Sequence, residues 1–270
     1  NATRSMKRIP GMARIARPLS TIRHKEWLQR IILEEGITTV FQPIYHLRSR
    51  SVLGYEALTR GPKGTIFESP ASLFSTAAEV GLSFELDRLC RRKAIETSRA
   101  LPDGAKIFIN TLPNTIQDPG LLGEGLRMLL SDTGKTPSNF VLEINERMAI
   151  ENFSLFRTTI RPFLDAGMAI AVDDIGTGYS SLEAIVELKP RYLKFDLSIV
   201  RGIGEDTVKQ EILKMLTTLA ERIDSVIIAE GVEEKTEVEV LSQLNVPYAQ
   251  GFYFARPAPV EELLRHSETG

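Results

Sequence analysis

The fold is decided by residues 140–173, which read FVLEI at 140–144, an amphipathic stretch at 153–164, and MAIAVD at 168–173. The two apolar runs have the length and composition of strands that are buried on both faces. The stretch between them, Phe153–Leu164, has the spacing of a helix with one apolar face. A strand, a helix and a second strand in succession predict two parallel strands joined by a helical crossover.

The same alternation extends in both directions along the chain. Amphipathic stretches such as Leu86–Arg99 and Thr207–Arg222 separate short apolar runs. About eight strands in about 230 residues predict a TIM-like (β/α)8 barrel of the α/β class, and a doubly wound open sheet is the alternative. The eight strand candidates are Thr39–Ile44, Val52–Leu58, Lys106–Asn110, Phe140–Ile144, Met168–Asp173, Tyr192–Phe195, Ser225–Ala229 and Tyr248–Tyr253.

The beginning of the pattern departs from a regular barrel. Residues 24–35 predict a leading helix with Trp27, Ile31 and Ile32 on one face. The first two strand candidates are separated only by His46–Ser51, which is too short for a crossover helix. We therefore expect the first strand to run antiparallel to the second.

Composition excludes several classes of protein. The formal net charge of -2 gives no electrostatic reason to expect duplex nucleic acid as a partner. No apolar run approaches the roughly 20 residues of a membrane-spanning helix. The single cysteine, Cys90, excludes an intrachain disulfide, so we expect a protein of a reducing cytoplasm.

Residues 1–19 are expected to form a linker or tail, because their charged side chains are all basic and the apolar pattern has not begun. The domain is expected to span 20–262, followed by a short tail at 263–270. Because the chain begins at Asn1 and not at methionine, we expect it to be part of a longer protein, with a sensor or regulatory domain before it.

Polar side chains recur at the ends of the apolar runs. In a β/α barrel these strand ends converge on the rim where active sites form. Several buried carboxylates in one place need a cation to neutralise them, and an all-oxygen cage suits Mg²⁺ or Mn²⁺. The three histidines lie away from these ends, which argues against a zinc site. The polar residues are Glu56, Asn110, Glu143, Asp173, Asp174, Lys194, Glu230 and Gln250.

Taken singly, most of these features have ordinary explanations. One acid after a strand usually caps a helix or lies in solvent, and the glycines at 176 and 178 are explained by a turn before a serine-capped helix. Lys194 is harder to explain in this way, because a lysine inside a buried strand is rare unless acids surround it. The repetition at seven strand ends favours a functional site.

Together the motifs resemble the EAL domain family. The triplet that names the family is Glu56-Ala-Leu58, and the other segments follow in the family order over about residues 20 to 262. Each segment is short and weak alone, but the ordered set is specific. The segments are Phe41-Gln-Pro-Ile44, Tyr55-Glu-Ala-Leu-Thr-Arg60, Ile109-Asn110, Leu142-Glu-Ile-Asn-Glu146, Asp173-Asp-Ile-Gly-Thr-Gly-Tyr-Ser-Ser-Leu182, Leu193-Lys-Phe-Asp196, Glu230-Gly-Val-Glu233 and Gln250-Gly-Phe252.

The resemblance implies a barrel with an antiparallel first strand and two Mg²⁺ or Mn²⁺ ions that support hydrolysis of cyclic di-GMP to linear pGpG. It also implies a homodimer. By position, one metal would be held by Glu56, Asn110, Glu143 and Asp173, and a second by Asp173 and Asp174. Lys194 would contact the attacking water, Glu230 would support the water shell of the second metal, and Glu146 would hold the loop that begins at Asp173. The implied substrate contacts are Gln42, Leu58, Arg60 and Gln250, with Asp87 and Pro257 at guanine.

Two positions depart from the family pattern. Asn145 stands where threonine is expected, and Ile175 stands where phenylalanine is common. Neither is an implied metal ligand, so they bear on rate and regulation more than on the reaction. The alternatives to the enzyme are a receptor that binds cyclic di-GMP without hydrolysing it and a metal-dependent hydrolase for another phosphodiester. The receptor is disfavoured because such relatives usually have lost metal ligands, and this chain retains them all.

Overall fold

A closed barrel forms the centre of the molecule. The computed structural model describes residues 19–112, 118–145, 153–176 and 181–267. Its eight strands are hydrogen-bonded in chain order, and the last one closes on the first. They are β1 (Thr38–His46), β2 (Val52–Arg60), β3 (Lys106–Asn110), β4 (Phe140–Asn145), β5 (Ala169–Ile175), β6 (Tyr192–Phe195), β7 (Val226–Ala229) and β8 (Tyr248–Ala249).

The first strand runs against the others, which confirms the expected TIM-like barrel with an antiparallel first strand. β1 pairs antiparallel with both β2 and β8, and every other neighbouring pair is parallel. The short connection allows only a hairpin, in which the Ser51 carbonyl accepts a hydrogen bond from the His46 amide. His46 therefore ends β1 at the rim opposite to the carboxyl ends of the parallel strands.

The eighth strand is shorter than predicted and ends at Ala249 instead of Tyr253. The chain bends at Gly251, whose φ of 156° is rare for residues with a side chain. A Cβ at this position would lie 2.1 Å from the Val232 carbonyl oxygen, so only glycine fits the bend.

Helices surround the barrel, and the helix at Thr207–Arg222 has the predicted bounds because Asp206 caps its first turn. None of the described helices combines the length and apolarity needed to cross a bilayer. The helices are α1 (Leu19–Leu33), α2 (Pro70–Val80), α3 (Ser83–Thr97), α4 (Gly123–Leu130), α5 (Phe153–Asp165), α6 (Ser181–Leu188), α7 (Leu197–Val200), α8 (Thr207–Arg222), α9 (Lys235–Gln243) and α10 (Val260–Ser267). Single turns of 3₁₀ helix occupy 98–100, 119–121 and 137–139.

The terminal helices differ from the expectations in detail. α1 begins five residues earlier than predicted and buries Leu28 and Ile31, while Trp27 keeps 40% of its surface exposed and packs edge-on against Phe67. The prediction placed Trp27 on the buried face of this helix, but its neighbour Leu28 occupies that face instead. At the other end, α10 continues past residue 262, so the expected domain boundary falls inside a helix.

The barrel interior is filled in layers. An apolar layer occupies the middle, and the side chains of each strand alternate between this interior and the surrounding helices. Because the alternation has a period of two, the residue two positions further along each parallel strand also points inward, nearer the carboxyl end. The buried apolar layer consists of Ile44, Phe108, Val141, Ala171, Tyr192 and Ile228.

Candidate metal centre

On the strands that supply the apolar layer, the next inward-facing residues toward the carboxyl ends of the parallel strands are polar. Two residues beyond Phe108 stands Asn110, and two beyond Val141 stands Glu143. The same step on β5, β6 and β7 leads to Asp173, Lys194 and Glu230. On antiparallel β1 the step runs backwards, from Ile44 to Gln42, which pairs in register with Glu56 on β2. The barrel therefore brings the predicted strand-end residues together at one rim.

Lys194 lies at the centre of this layer and is completely buried. Its Nζ lies 2.6 Å from Glu143 Oε1 and 2.7 Å from Glu230 Oε1. It also lies 3.2 Å from Glu56 Oε2 and 3.3 Å from Asp173 Oδ1. One ammonium group thus contacts four carboxylates that come from four different strands or strand ends.

Burial and charge act in opposite directions on Lys194. Desolvation lowers the pKa of the ammonium group, but the surrounding carboxylates outweigh it and raise the pKa well above its ordinary value. Burial, followed by repulsion from neighbouring carboxylates, raises the pKa of Glu143 and Glu230 well above the usual carboxyl range. The cluster therefore has more negative charge than one lysine neutralises.

Two side-chain amides cross-link the carboxylates. The Asn110 Nδ2 group donates to Glu56 Oε1 at 3.2 Å. The Gln250 Nε2 group donates to Glu56 Oε2 at 2.5 Å and to Glu230 Oε1 at 2.7 Å. These bonds orient the carboxylates and hold Asn110 and Gln250 against them.

A second group of acids adjoins the first. Asp173, Asp174 and Glu230 each offer an oxygen, and these three oxygens lie within 4.8 Å of one another. Asp174 has a positive φ of 61°, and its carboxylate accepts a hydrogen bond from the Asn145 side-chain amide. The position that departs from the family pattern thus contacts one of the implied metal ligands.

Sequence reasoning missed one acid near this group. Burial, then repulsion from Asp173 and Asp196, raises the pKa of Asp174. Asp196 follows β6 directly and caps α7 by accepting the Ser198 amide. It obeys the strand-end rule that identified the other acids, so that rule could have found it.

The donor set fits divalent metal ions of the hard class. The nearby groups are carboxylates and amides, which provide the oxygen ligands that Mg²⁺ and Mn²⁺ prefer. Glu143 Oε2 is buried and has no hydrogen-bond partner among the described residues, and the same holds for Gln250 Oε1. A buried acceptor without a donor is costly, and a bound cation would satisfy it.

A cavity of about 540 Å³ opens beside the carboxylates. Its lining includes Asn110, Glu143 and Asp174, together with Leu58 and Asp87. The remaining walls come mainly from β2, α2, α3 and the segment after β3. A ligand in this cavity would therefore contact both the acidic layer and the helices outside the barrel.

The other predicted substrate contacts lie outside the lining of this cavity as the described residues define it. The side chain of Gln42 donates to the Ala255 carbonyl at 3.0 Å, and that of Arg60 donates to the Thr59 carbonyl at 2.9 Å. Pro257 is half-buried on the segment after β8. Their contacts with substrate stay predictions. Glu146 lies outside the described residues, so its expected role in holding the loop also stays a prediction.

Comparisons with known proteins agree with the geometry. The family model described as "EAL domain" matches residues 25–257. The Escherichia coli K12 proteins PdeN and PdeB, both probable cyclic di-GMP phosphodiesterases, are 31% and 33% identical to this chain. The alignments cover 87% and 94% of this chain and 46% and 49% of those proteins. The chain thus spans about half the length of the curated relatives it matches.

A solved structure shows the same barrel. Klebsiella pneumoniae BlrP1, in a complex with manganese and cyclic di-GMP, superposes with a TM-score of 0.74 at 29% identity. The match covers 83% of this chain and 56% of that chain. Barrel, acidic layer and family match lead to the same assignment: the chain belongs to the EAL domain family.

Proposed function

We propose that this chain hydrolyses cyclic di-GMP to linear pGpG with the help of two Mg²⁺ or Mn²⁺ ions. The observation that carries the proposal is the charge of the buried layer. In the fully ionised form that binds metal, Glu56, Glu143, Asp173, Asp174 and Glu230 carry five negative charges, and Lys194 carries one positive charge. The balance of -4 equals the charge that two divalent cations would neutralise, and an unneutralised buried cluster would be very costly.

The described residues divide into two sets of ligands. Glu56, Asn110, Glu143 and Asp173 would hold one cation, and Asp173 and Asp174 would hold the other. When bound, the cations would increase the acidity of the attacking water and offset the charge that develops on the phosphate. The curated relatives are named as probable cyclic di-GMP phosphodiesterases, and BlrP1 was solved with manganese and cyclic di-GMP, which supports this choice of metal and substrate.

Lys194 would act on the reacting phosphate. Its ammonium stays charged at neutral pH because carboxylates surround it, and it is held in place from four sides. A fixed positive group stabilises negative charge that develops in the transition state without having to reorganise. Glu230 would orient water beside the second cation.

The substrate would extend from the acidic layer into the cavity. Leu58 and Asp87 line that cavity, and Asp87 would contact guanine. Gln42, Arg60, Gln250 and Pro257 would contact the rest of the dinucleotide, and Arg60 can form a two-point contact with a phosphate. We also propose a homodimer in the bacterial cytoplasm that is regulated by a sensor or regulatory domain, a proposal that the greater length of the matched relatives supports.

Product analysis tests the proposal. The chain is mixed with cyclic di-GMP in Mg²⁺, in Mn²⁺ and in excess chelator, and the products are separated by chromatography. Linear pGpG with either metal and none with chelator would support it. Binding without product in either metal would favour the receptor, and cleavage of other phosphodiesters but not of cyclic di-GMP would favour the third alternative.

A further inference from the structure

A buried arginine lies behind the wall of the cavity. Arg91 on α3 keeps only 1% of its surface exposed, whereas the side chain of its neighbour Arg92 is half-buried. Burial lowers the pKa of the Arg91 guanidinium, partly offset by Asp118, to about 10, so the group remains charged at neutral pH. A buried charge of this kind needs partners, and two of them lie among the described residues.

The two partners are buried carboxylates on different segments. Asp87 lies one helical turn before Arg91 and forms an ion pair with its NH1 group. Asp118 follows β3 in the chain, and its Oδ2 lies 3.4 Å from the NH2 group of Arg91. Asp118 also accepts the Gly120 amide at 2.9 Å. One planar guanidinium thus joins the helix to the segment after the strand.

Asp87 is the member of this group that borders the cavity. Its Oδ1 accepts the Leu112 amide at 3.4 Å, while its Oδ2 faces Arg91. These two contacts approach different oxygens of the carboxylate and so fix its orientation at the cavity wall. Both partners, a helix neighbour and a loop amide, lie outside the acidic layer.

We propose that Arg91 is a positioning residue that holds the Asp87 carboxylate, ionised and in one orientation, against the cavity and so sets the preference for guanine. This inference rests on the proposed function. An ionised carboxylate accepts two adjacent N–H donors, and guanine presents such a pair in its N1–H and its 2-amino group. Arg91 contacts no substrate in this account and acts only through Asp87.

Arg91→Lys tests the proposal with little loss of charge. Lysine keeps the positive charge but lacks the planar fork that reaches Asp87 and Asp118 together. The kcat and KM are measured in Mg²⁺ for cyclic di-GMP and for its analogue with hypoxanthine bases, which lacks the 2-amino group. The parent should prefer the guanine form by on the order of 10-fold or more in kcat/KM, because one hydrogen bond to a charged group is lost in the analogue.

For Arg91→Lys we expect the ratio of kcat/KM for the guanine and hypoxanthine dinucleotides to fall toward 1. The change should arise from KM, and kcat should stay nearly unchanged. Arg91→Met should do the same if it folds, which its melting temperature will report. Arg92→Lys is the matched control, since Arg92 pairs with Glu35 and Glu96 on the surface, and it should keep the preference of the parent.

A lower melting temperature with an unchanged guanine preference would overturn the proposal and leave Arg91 as a structural residue. A parent that hydrolyses both dinucleotides equally would also overturn it, while leaving the proposed function intact. A parent that neither binds nor hydrolyses cyclic di-GMP would overturn both, and that outcome is visible before any variant is made.

Discussion

Replacing Lys194 with methionine separates the two roles that we propose for this residue. Methionine has a similar length but no charge, so the substitution removes the ammonium group with little change in volume. The four carboxylate oxygens now 2.6–3.3 Å from Nζ would then lose their only cation among the described side chains. We expect a loss of stability without metal and a loss of turnover with metal.

The first loss follows from buried charge. Removing one partner of a buried ion pair costs about 3–5 kcal/mol. In a domain of this size a loss of 1 kcal/mol lowers the melting temperature by about 2–4 °C, so the variant should melt roughly 6–20 °C lower in chelator. Saturating Mg²⁺ should recover most of that difference, because the cations would neutralise the same carboxylates.

The second loss follows from the chemistry. If Lys194 stabilises charge that develops only in the transition state, kcat should fall by about 100- to 1,000-fold and KM should change little. Differential scanning fluorimetry and steady-state hydrolysis measure the two effects. Lys135→Met is the matched control, because Lys135 is also buried but donates to the Leu101 carbonyl, away from the acidic layer. The Lys135→Met variant should have a lower melting temperature and an unchanged kcat.

Two results would refute this reasoning. A Lys194→Met variant with normal kcat and a strongly raised KM would make Lys194 a substrate anchor. An unchanged melting temperature in chelator would mean that Lys194 does not neutralise the acids it contacts.

Four further predictions test the site. Hydrolysis should stop in excess chelator, and full activity with chelator would refute a metal centre. Hydrolysis should also be poor in Ca²⁺, because its longer bonds and looser geometry would misplace the reacting groups. Glu56→Ala should weaken metal binding itself, seen as a large rise in the Mn²⁺ dissociation constant by calorimetry. Asn145→Ala should raise the Mg²⁺ concentration needed for half-maximal rate several-fold, because Asp174 loses the amide that orients it, whereas superimposable Mg²⁺ curves would remove that role. Burial raises the pKa of the Cys90 thiol to about 11, so at pH 8 only about one thiol in a thousand is ionised. Iodoacetamide should therefore label the thiol slowly in the native chain and fast in the unfolded chain. Because the folded pKa lies above the ordinary 9.0, the thiol should also lower stability as pH rises from about 9 to 11.

The sequence could predict the acidic layer because its geometry follows from strand periodicity. An apolar inward residue followed two positions later by a polar one recurs on successive strands, and closure of the barrel is enough to bring the polar ones together. The bounds of α8 could be predicted because helix spacing and the Asp206 cap both lie in the local sequence. Neither prediction needs a distant contact.

What could not be predicted depends on distant contacts. Arg91 and Arg92 are adjacent and chemically identical, yet their side chains are 1% and 37% exposed. Arg91 is buried because Asp118, 27 residues later, returns to α3 as its partner. Cys90 likewise stands in a charged stretch of sequence but is buried beside the cavity. The contact of Asn145 with Asp174 required the positive φ of Asp174, which no local pattern indicated.

The reversed first strand decides where the chain enters the barrel. In a barrel of parallel strands the polypeptide enters at the rim opposite to the catalytic one. Here β1 starts at Thr38 on the same rim as the acidic layer, and the side chain of Thr39 lines the cavity. Through Leu28, α1 belongs to the same apolar cluster as Leu73 of α2, and α2 also lines the cavity with Phe74. The polypeptide therefore enters the barrel at the same rim as the ligand. Because α1 packs on α2 and α2 lines the cavity, a displacement of α1 that moves α2 changes the shape of the cavity.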